Sequence, residues 1–475
     1  GGAISITNAD YTNANLTTNK GDITYKDTDG VTVTASTSSA LDNTVSIESN
    51  ATVVGLTSDN SNAESGITLT GVNQGANFLM TANAGNITQA AGVLQSNILN
   101  ATTTELNATQ TLGDIDTNSA VLTSNKGNIT VADSDGLILT ANTGDASTAT
   151  VTAESSKAGL ASVNGLVEVD MVLTGTNQAG TFNATATTGN ISQSGKLQAN
   201  VLNATTSALN ATQTFDDTDV TTANLNSNKG NVLLKDADGA TFTVNTGDAS
   251  TATVTLETNA AGLTSDNSNA ESGLTLTGLN QGGTVNLTAN TGNISQSGQL
   301  QADTLNATTN GLNATQTFND ADTRVAVLTS NEGNITYNDK DGVTMTANTG
   351  STTVGTVDVT AKALGLTSNN GNGETGLKLA GSNQAGTYNA KARAGNISEL
   401  AGATLQVTNV NATTTAAGAT INLNDADATT AVLITDGGNI TYRDSDGVSF
   451  RANTGSPTAG VVDVVTNAAI FSGHI

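Results

Sequence analysis

Short runs that alternate apolar and polar residues recur along the chain, and five of them follow the same tetrapeptide, Asp-x-Asp-Gly. They read Val31-Thr-Val33-Thr-Ala35, Leu137-Ile-Leu139-Thr-Ala141, Ala240-Thr-Phe242-Thr-Val244, Val343-Thr-Met345-Thr-Ala347 and Val448-Ser-Phe450-Arg-Ala452. A period of two sends the first, third and fifth residues to one face of a β-strand and leaves mostly Thr or Ser on the other. The inward sizes compensate. Where the first position is only Ala240, the third is Phe242, as a narrow core of near-constant volume requires. No i, i+3, i+4, i+7 stripe persists, and Thr, Asn, Asp and Gly disfavour helix interiors, so the pattern predicts an all-β chain. The Gly, Asn and Asp between runs predict tight corners, because they tolerate left-handed backbone.

The runs belong to a long repeat. Asn-Ala-Thr-Thr begins at Asn100, Asn203, Asn306 and Asn411, a step of 103 that lengthens once to 105. A second column, of glycines, runs through Gly21, Gly127, Gly230, Gly333 and Gly438. Inside each unit Gly-Asn-[Ile/Val] returns at a constant offset of 62, at Gly127 and Gly189, Gly230 and Gly292, Gly333 and Gly395. Both 62 and 103 are multiples of about 20.6, which predicts coils of roughly 20 to 21 residues, five per unit, stacked as a parallel β-helix. The expected organisation is one continuous solenoid over residues 1–475, with repeats 1–100 (partial), 101–203, 204–306, 307–411 and 412–475 (partial). With strands about 4.8 Å apart, that is a rod on the order of 110 Å. A string of immunoglobulin-like modules is the rival fold. It would need a buried aromatic framework and linkers, whereas the chain has no Trp, one Pro and 3% aromatic residues.

Composition removes several function classes. Without Cys there is no disulfide framework, thiol nucleophile or Cys-ligated metal. A formal charge of −26 opposes binding to nucleic acid or anionic lipid. No apolar run approaches the roughly 18 residues of a membrane span, and residues from Gly1 on show no signal-peptide pattern, so the chain reads as a processed or excised piece.

Three segments carry a family resemblance: GNISQSGQLQADTLNAT at 292–308, LTSNKGNITVADSDGLILTANTG at 122–144 and GLTLTGLNQGGTVNLTA at 273–289. They resemble the repeats of filamentous haemagglutinin-like exoproteins, the adhesins and biofilm-matrix proteins exported by two-partner secretion. The resemblance covers essentially the whole chain. It implies a right-handed β-helical shaft, an extracellular or cell-surface location, and a role in adhesion or cell–cell cohesion. The calcium nonapeptide of repeat-in-toxin β-rolls, Gly-Gly-x-Gly-x-Asp, does not occur.

Candidate chemistry is sparse. A β-helix enzyme acting on polysaccharide needs a unique carboxylate or Arg/Lys cluster, but the prominent carboxylates here repeat in register, and repetition points to structure. The lone His474 sits one residue from the end, and Arg324, Arg393, Arg443 and Arg451 share no column. No catalytic, cofactor or metal residue is assigned, and the chain is read as a non-enzyme.

Two acidic columns remain. One is Asp27/Asp29, Asp133/Asp135, Asp236/Asp238, Asp339/Asp341 and Asp444/Asp446; the other is Asn8/Asp10, Asp114/Asp116, Asp217/Asp219, Asp320/Asp322 and Asp425/Asp427. Their offset is 17 in every copy, close to one coil, so the pairs are expected to sit above one another. The favoured reading is a corner, with Asp accepting backbone N–H bonds and Gly at positive φ. The alternative is a shared calcium ion.

Asn-x-[Ser/Thr] sequons number 18, including Asn100, Asn107, Asn203, Asn210, Asn306 and Asn313, against about 15 expected from composition, which is no real excess. Outward Thr, Ser and Asn rows suit either plain solvation or contact with glycans or a sister fibre. The leading expectation is a structural and adhesive shaft. The alternatives are a filament or sheath subunit that self-associates end to end and, third, a polysaccharide-active enzyme.

Overall fold

The computed structural model describes residues 2–50, 64–162, 169–266, 271–368, 370, 373–455, 459–467 and 472–474. Among them are strands and turns and no helix. The strands pair in parallel about 21 residues apart and form a β-solenoid of about 21 turns. The chain divides into two compact units, residues 1–234 with 264–269, and residues 235–263 with 270–475.

In the first unit the strand register can be followed from turn to turn along two walls. One wall steps through Ile23, Val45, Phe78, Leu99, Ala120 and Leu139, each paired with the next. All six are fully buried, so the wall is a continuous apolar column. The other wall steps through Val31, Ile67, Ile87, Gln110 and Ile129. The first path covers one repeat in five steps and the second in four, and each ends on the other's counterpart. Leu139 lies in Leu137–Asn142, the equivalent of Val31–Ser36, while Ile129 lies in Ile129–Asp133, the equivalent of Ile23–Asp27. Successive repeats therefore exchange walls. The second unit does the same, through Ile335, Val357, Tyr388, Val410, Ala431 and Phe450 on one wall and Val343, Leu377, Ile397, Ile421 and Ile440 on the other.

The expected coil length is thus present, but a repeat holds four and a half turns where the spacing implies five. One step in each path is much longer than the rest, that from Val45 to Phe78 on the first wall and that from Val31 to Ile67 on the second. Both long steps span the segment between the strands Thr44–Ser49 and Ile67–Leu69, here called a strap, which lengthens one turn without adding one.

Burial follows the expected alternation. Val31–Ser36, Leu137–Asn142, Ala240–Asn245 and Val343–Asn348 each bury every second residue, and Ala240 and Phe242 are 5% and 0% exposed. Corners work differently from expectation at the Asn-[Lys/Glu]-Gly turn. The left-handed residues are Lys20, Lys126, Lys229 and Glu332, with φ of 61° to 64°. The glycine that follows serves close approach instead: a Cβ on Gly127 would lie 1.7 Å from the Ala108 carbonyl oxygen one turn below, and one on Gly333 would lie 1.8 Å from that of Ala314.

Candidate functional site: the acidic corners and their straps

Each Asp-x-Asp-Gly closes a strand whose last residue, the first Asp, points into the wall. Asp27, Asp133, Asp236 and Asp339 are fully buried and Asp444 is 5% exposed. The Oδ1 of each accepts the N–H two residues on, at 3.2 Å from Asp29, 3.0 Å from Asp135, 3.2 Å from Asp238, 3.1 Å from Asp341 and 3.1 Å from Asp446. Oδ2 reaches the preceding turn, accepting N–H from Tyr11, Thr117, Thr323 and Ala428 onto Asp27, Asp133, Asp339 and Asp444 at 3.1 to 3.3 Å. The first aspartate therefore does the corner work expected of it, stapling two turns.

The glycine does not. Gly30, Gly239 and Gly342 lack positive φ; a Cβ there would lie 2.4 Å from Ser65 N, 2.6 Å from Ser272 N and 2.7 Å from Thr375 N. Glycine is needed because the returning end of the strap presses its backbone against the corner.

The second acidic column lies beside the first, as the constant offset implies. Asp27 pairs with Ala9, Asp133 with Ile115, Asp339 with Ala321 and Asp444 with Ala426, which sets Asp10, Asp116, Asp322 and Asp427 next to the corners. In the first repeat, carboxylate oxygens of Asp10, Asp27 and Asp29 all lie within 4.8 Å of one another.

The straps fold down onto these carboxylates. The Ser162 hydroxyl donates to Asp116 at 3.5 Å, the Asp266 N–H to Asp219, and the Ser368 hydroxyl and Asn370 N–H to Asp322 at 3.1 and 2.9 Å. Thr12 donates to Glu64. Glu64 and Glu374 each precede the strap residue that abuts the corner glycine. Sequence reasoning missed them, although Glu-[Ser/Thr]-Gly at Glu64, Glu271 and Glu374 recurs at a near-constant distance after the first corner aspartate.

Burial raises the corner carboxyls. Asp27 is pushed up to about 6 and Asp133 to about 9, chiefly by desolvation. Asp339 rises for the same reason, and Glu374 is raised by burial and by the nearby Asp341 and Asp322. Tyr25, Tyr337 and Tyr442 stand two residues before three of the corners and donate to the aspartate Oδ2 at 2.8, 3.0 and 2.9 Å.

The other candidates scatter. Arg324 pairs with Asp303 at 2.6 Å and Arg443 with Asp463 at 2.6 Å, so the structure joins these arginines to no common site. His474 lies in the strand Ser472–His474, its side chain outside the described residues. Asn203 and Asn306 are held in Asn–Asn ladders on the walls, whereas Asn107, Asn210 and Asn313 occupy exposed left-handed turns. The residue before each of these, Leu106, Leu209 and Leu312, is more than half exposed. On the second unit, Asp358, Asn389, Lys391 and Asn411 line a shallow groove of about 250 Å³, with Asn389 donating to Asp358 at 2.6 Å and Asn411 to Asn389 at 2.8 Å.

No family model, curated protein or solved structure matches this chain.

Proposed function

We propose that the chain is a structural and adhesive shaft, the repeat region of a bacterial cell-surface or biofilm-matrix exoprotein of the filamentous haemagglutinin-like kind. The observation that carries this reading is the repetition itself. Within each unit the polar groups return in register with the core, as a stack of equivalent turns sharing a mechanical load requires and a single reaction centre does not. Stress along such a stack is shared by parallel ladders, and a protease finds few unpaired backbone groups. The outward Asp358–Asn389–Asn411 ladder and its groove give the shaft a polar face with donors and acceptors at strand spacing, suited to glycans or to a sister fibre.

The test is to immobilise the purified chain and measure retention of bacterial cells and of a polysaccharide panel under flow. Retention that falls on Asn389→Ala and Lys391→Ala supports the reading. Spontaneous filaments under the electron microscope would favour the self-assembling subunit, and new reducing ends in the polysaccharide would favour an enzyme.

A further inference from the structure

Because the turns repeat, a place where one repeat departs from the others stands out, and the fourth repeat departs at a patch of its wall. In the first three repeats the ladder pairs Glu48 with Thr81, Glu154 with Thr185 and Glu257 with Thr288. At the same step the fourth pairs Thr360 with Lys391. Two residues further on, Arg393 stands where the earlier repeats have Asn83, Thr187 and Asn290, and Lys362 where they have Asn50, Ser156 and Asn259. The ordinary patch satisfies itself in the first and third repeats: Asn83 donates to Glu48 at 3.1 Å and Asn290 to Glu257 at 2.8 Å, and each also reaches the carbonyl of Asn50 or Asn259, at 3.4 and 3.2 Å. The fourth repeat removes the glutamate acceptor at the very step where it installs a guanidinium. Among the described residues Lys362, Lys391 and Arg393 enter no ion pair; those of the same unit run from Arg324, Lys340 and Arg443. The Arg393 Nε is enclosed with no acceptor. With Asp358 in place of Ser46, Thr152 and Thr255, these positions carry one negative charge in each earlier repeat and a net two positive charges here, on a chain of formal charge −26. Neighbouring cations repel, and an enclosed donor without an acceptor is costly, so the patch is built to be completed by an anion from outside.

We propose that this patch binds a glycan carrying an isolated carboxylate, with the acid on Arg393, Lys391 and Lys362 and the sugar chain in the groove beside them. The proposal rests on the adhesive reading above and names the ligand class of the same groove. A carboxylate presents a planar pair of oxygens that matches the guanidinium fork, while the two ammonium groups add charge. Asp358, Asn389, Asn411 and Thr413 line the groove with acceptors and donors suited to sugar hydroxyls. At about 250 Å³ the groove is smaller than a pocket that encloses a whole drug-sized ligand, so it reads one residue of a longer chain. The acid must be isolated because charges act over about 8 Å at physiological salt: a single carboxylate meets the cations, whereas a run of them meets Asp358 as well. The first three repeats cannot bind in this way, since Glu48, Glu154 and Glu257 hold the corresponding position.

The probe is xylotriose carrying one glucuronic acid, titrated into the whole chain by isothermal calorimetry beside plain xylotriose and polygalacturonate. The acidic sugar should bind at one site per chain, more weakly as salt rises, and plain xylotriose about tenfold more weakly or worse. Three variants bring back residues that the same position holds in other repeats: Arg393→Asn, Lys391→Thr and Thr360→Glu, the last restoring the local acceptor. Each should weaken binding by about tenfold or more, with melting followed by circular dichroism as the check on the fold. No saturable binding at millimolar probe, equal affinity for plain xylotriose, tighter binding per acid to polygalacturonate, or binding unchanged in all three variants would each overturn the proposal. Self-association of the chain that disappears in the same variants would also overturn it, by giving the patch to a sister shaft. Cells retained under flow by a chain that does not bind the probe would sink this proposal alone; probe binding by a chain that retains no cells would sink the adhesive reading.

Discussion

The acidic corners of the second and fourth repeats share a backbone and hold their charge differently. In the second, Val131 lies below the corner, Ser134 sits between the aspartates, and Asp133 relies on two N–H donors while burial pushes it up to about 9. In the fourth, Tyr337 replaces the valine, giving Asp339 a hydroxyl donor at 3.0 Å while meeting Thr323 at 2.6 Å and packing on Phe318 with ring centroids 6.1 Å apart. Lys340 replaces the serine and reaches Asp320 at 3.2 Å from an almost fully enclosed position, and Arg324 partly offsets the rise at Glu374. The fourth repeat brings a cation and an added donor to its corner, whereas Lys126 and Lys157 of the second pair with Asp145 and Glu154 instead. The staple between turns therefore needs only the first aspartate, while the charge balance is set by the residues two before and one after it.

The largest expected effect falls on what the two repeats share. Gly127→Ala and Gly333→Ala put a Cβ within 1.8 Å of a carbonyl oxygen on the neighbouring turn, so each should destabilise its unit by about 3 kcal/mol or more in urea unfolding. Unequal losses would break the equivalence of the two turns. Next comes pH. Asp133 has a folded value of about 9 against an unfolded 3.8, so the native state holds a proton that the unfolded chain releases between those limits. Its contribution is complete below about pH 4 and is lost as pH rises through 9, with a slope of at most about 1.4 kcal/mol per pH unit. Melting temperature should fall across that window, and Asp133→Asn should flatten the fall.

Tyr337→Phe removes a donor to a buried carboxyl and should cost about 1–2 kcal/mol, leaving the fourth repeat closer to the second. An unchanged unfolding midpoint would show that the hydroxyl is dispensable. The smallest effect is a gain. Glu332 holds φ of 62° where the fifth repeat has Gly437 at 76°, so Glu332→Gly should stabilise by up to about 1 kcal/mol, checked by thermal melting.

The alternating strands and the coil length were legible in sequence because a narrow core tolerates little variation; Ala240 and Phe242 show the compensation directly. The number of turns per repeat was not. Spacing arithmetic counts residues, and it divides the long segment between Thr44–Ser49 and Ile67–Leu69 as though it were ordinary coil. The adjacency of the two acidic columns was legible from their constant offset. The strap contact on Asp116 was not, because the Ser162 hydroxyl that makes it returns from much further along the chain. Gly30 was assigned to the wrong cause since glycine answers two needs, positive φ and close approach, and the sequence shows the residue without the need.

The exchange of walls from one repeat to the next has a genetic consequence. A duplication or loss of one unit rotates whatever follows it to the opposite side, whereas a change by two units restores the original facing. Any feature present once per unit, such as the exposed Leu106 and Leu209, alternates sides like bricks laid in staggered courses. A gene of this kind can vary its length freely only in pairs of repeats if the direction in which its distal end faces matters, so repeat number among natural variants should differ by even steps.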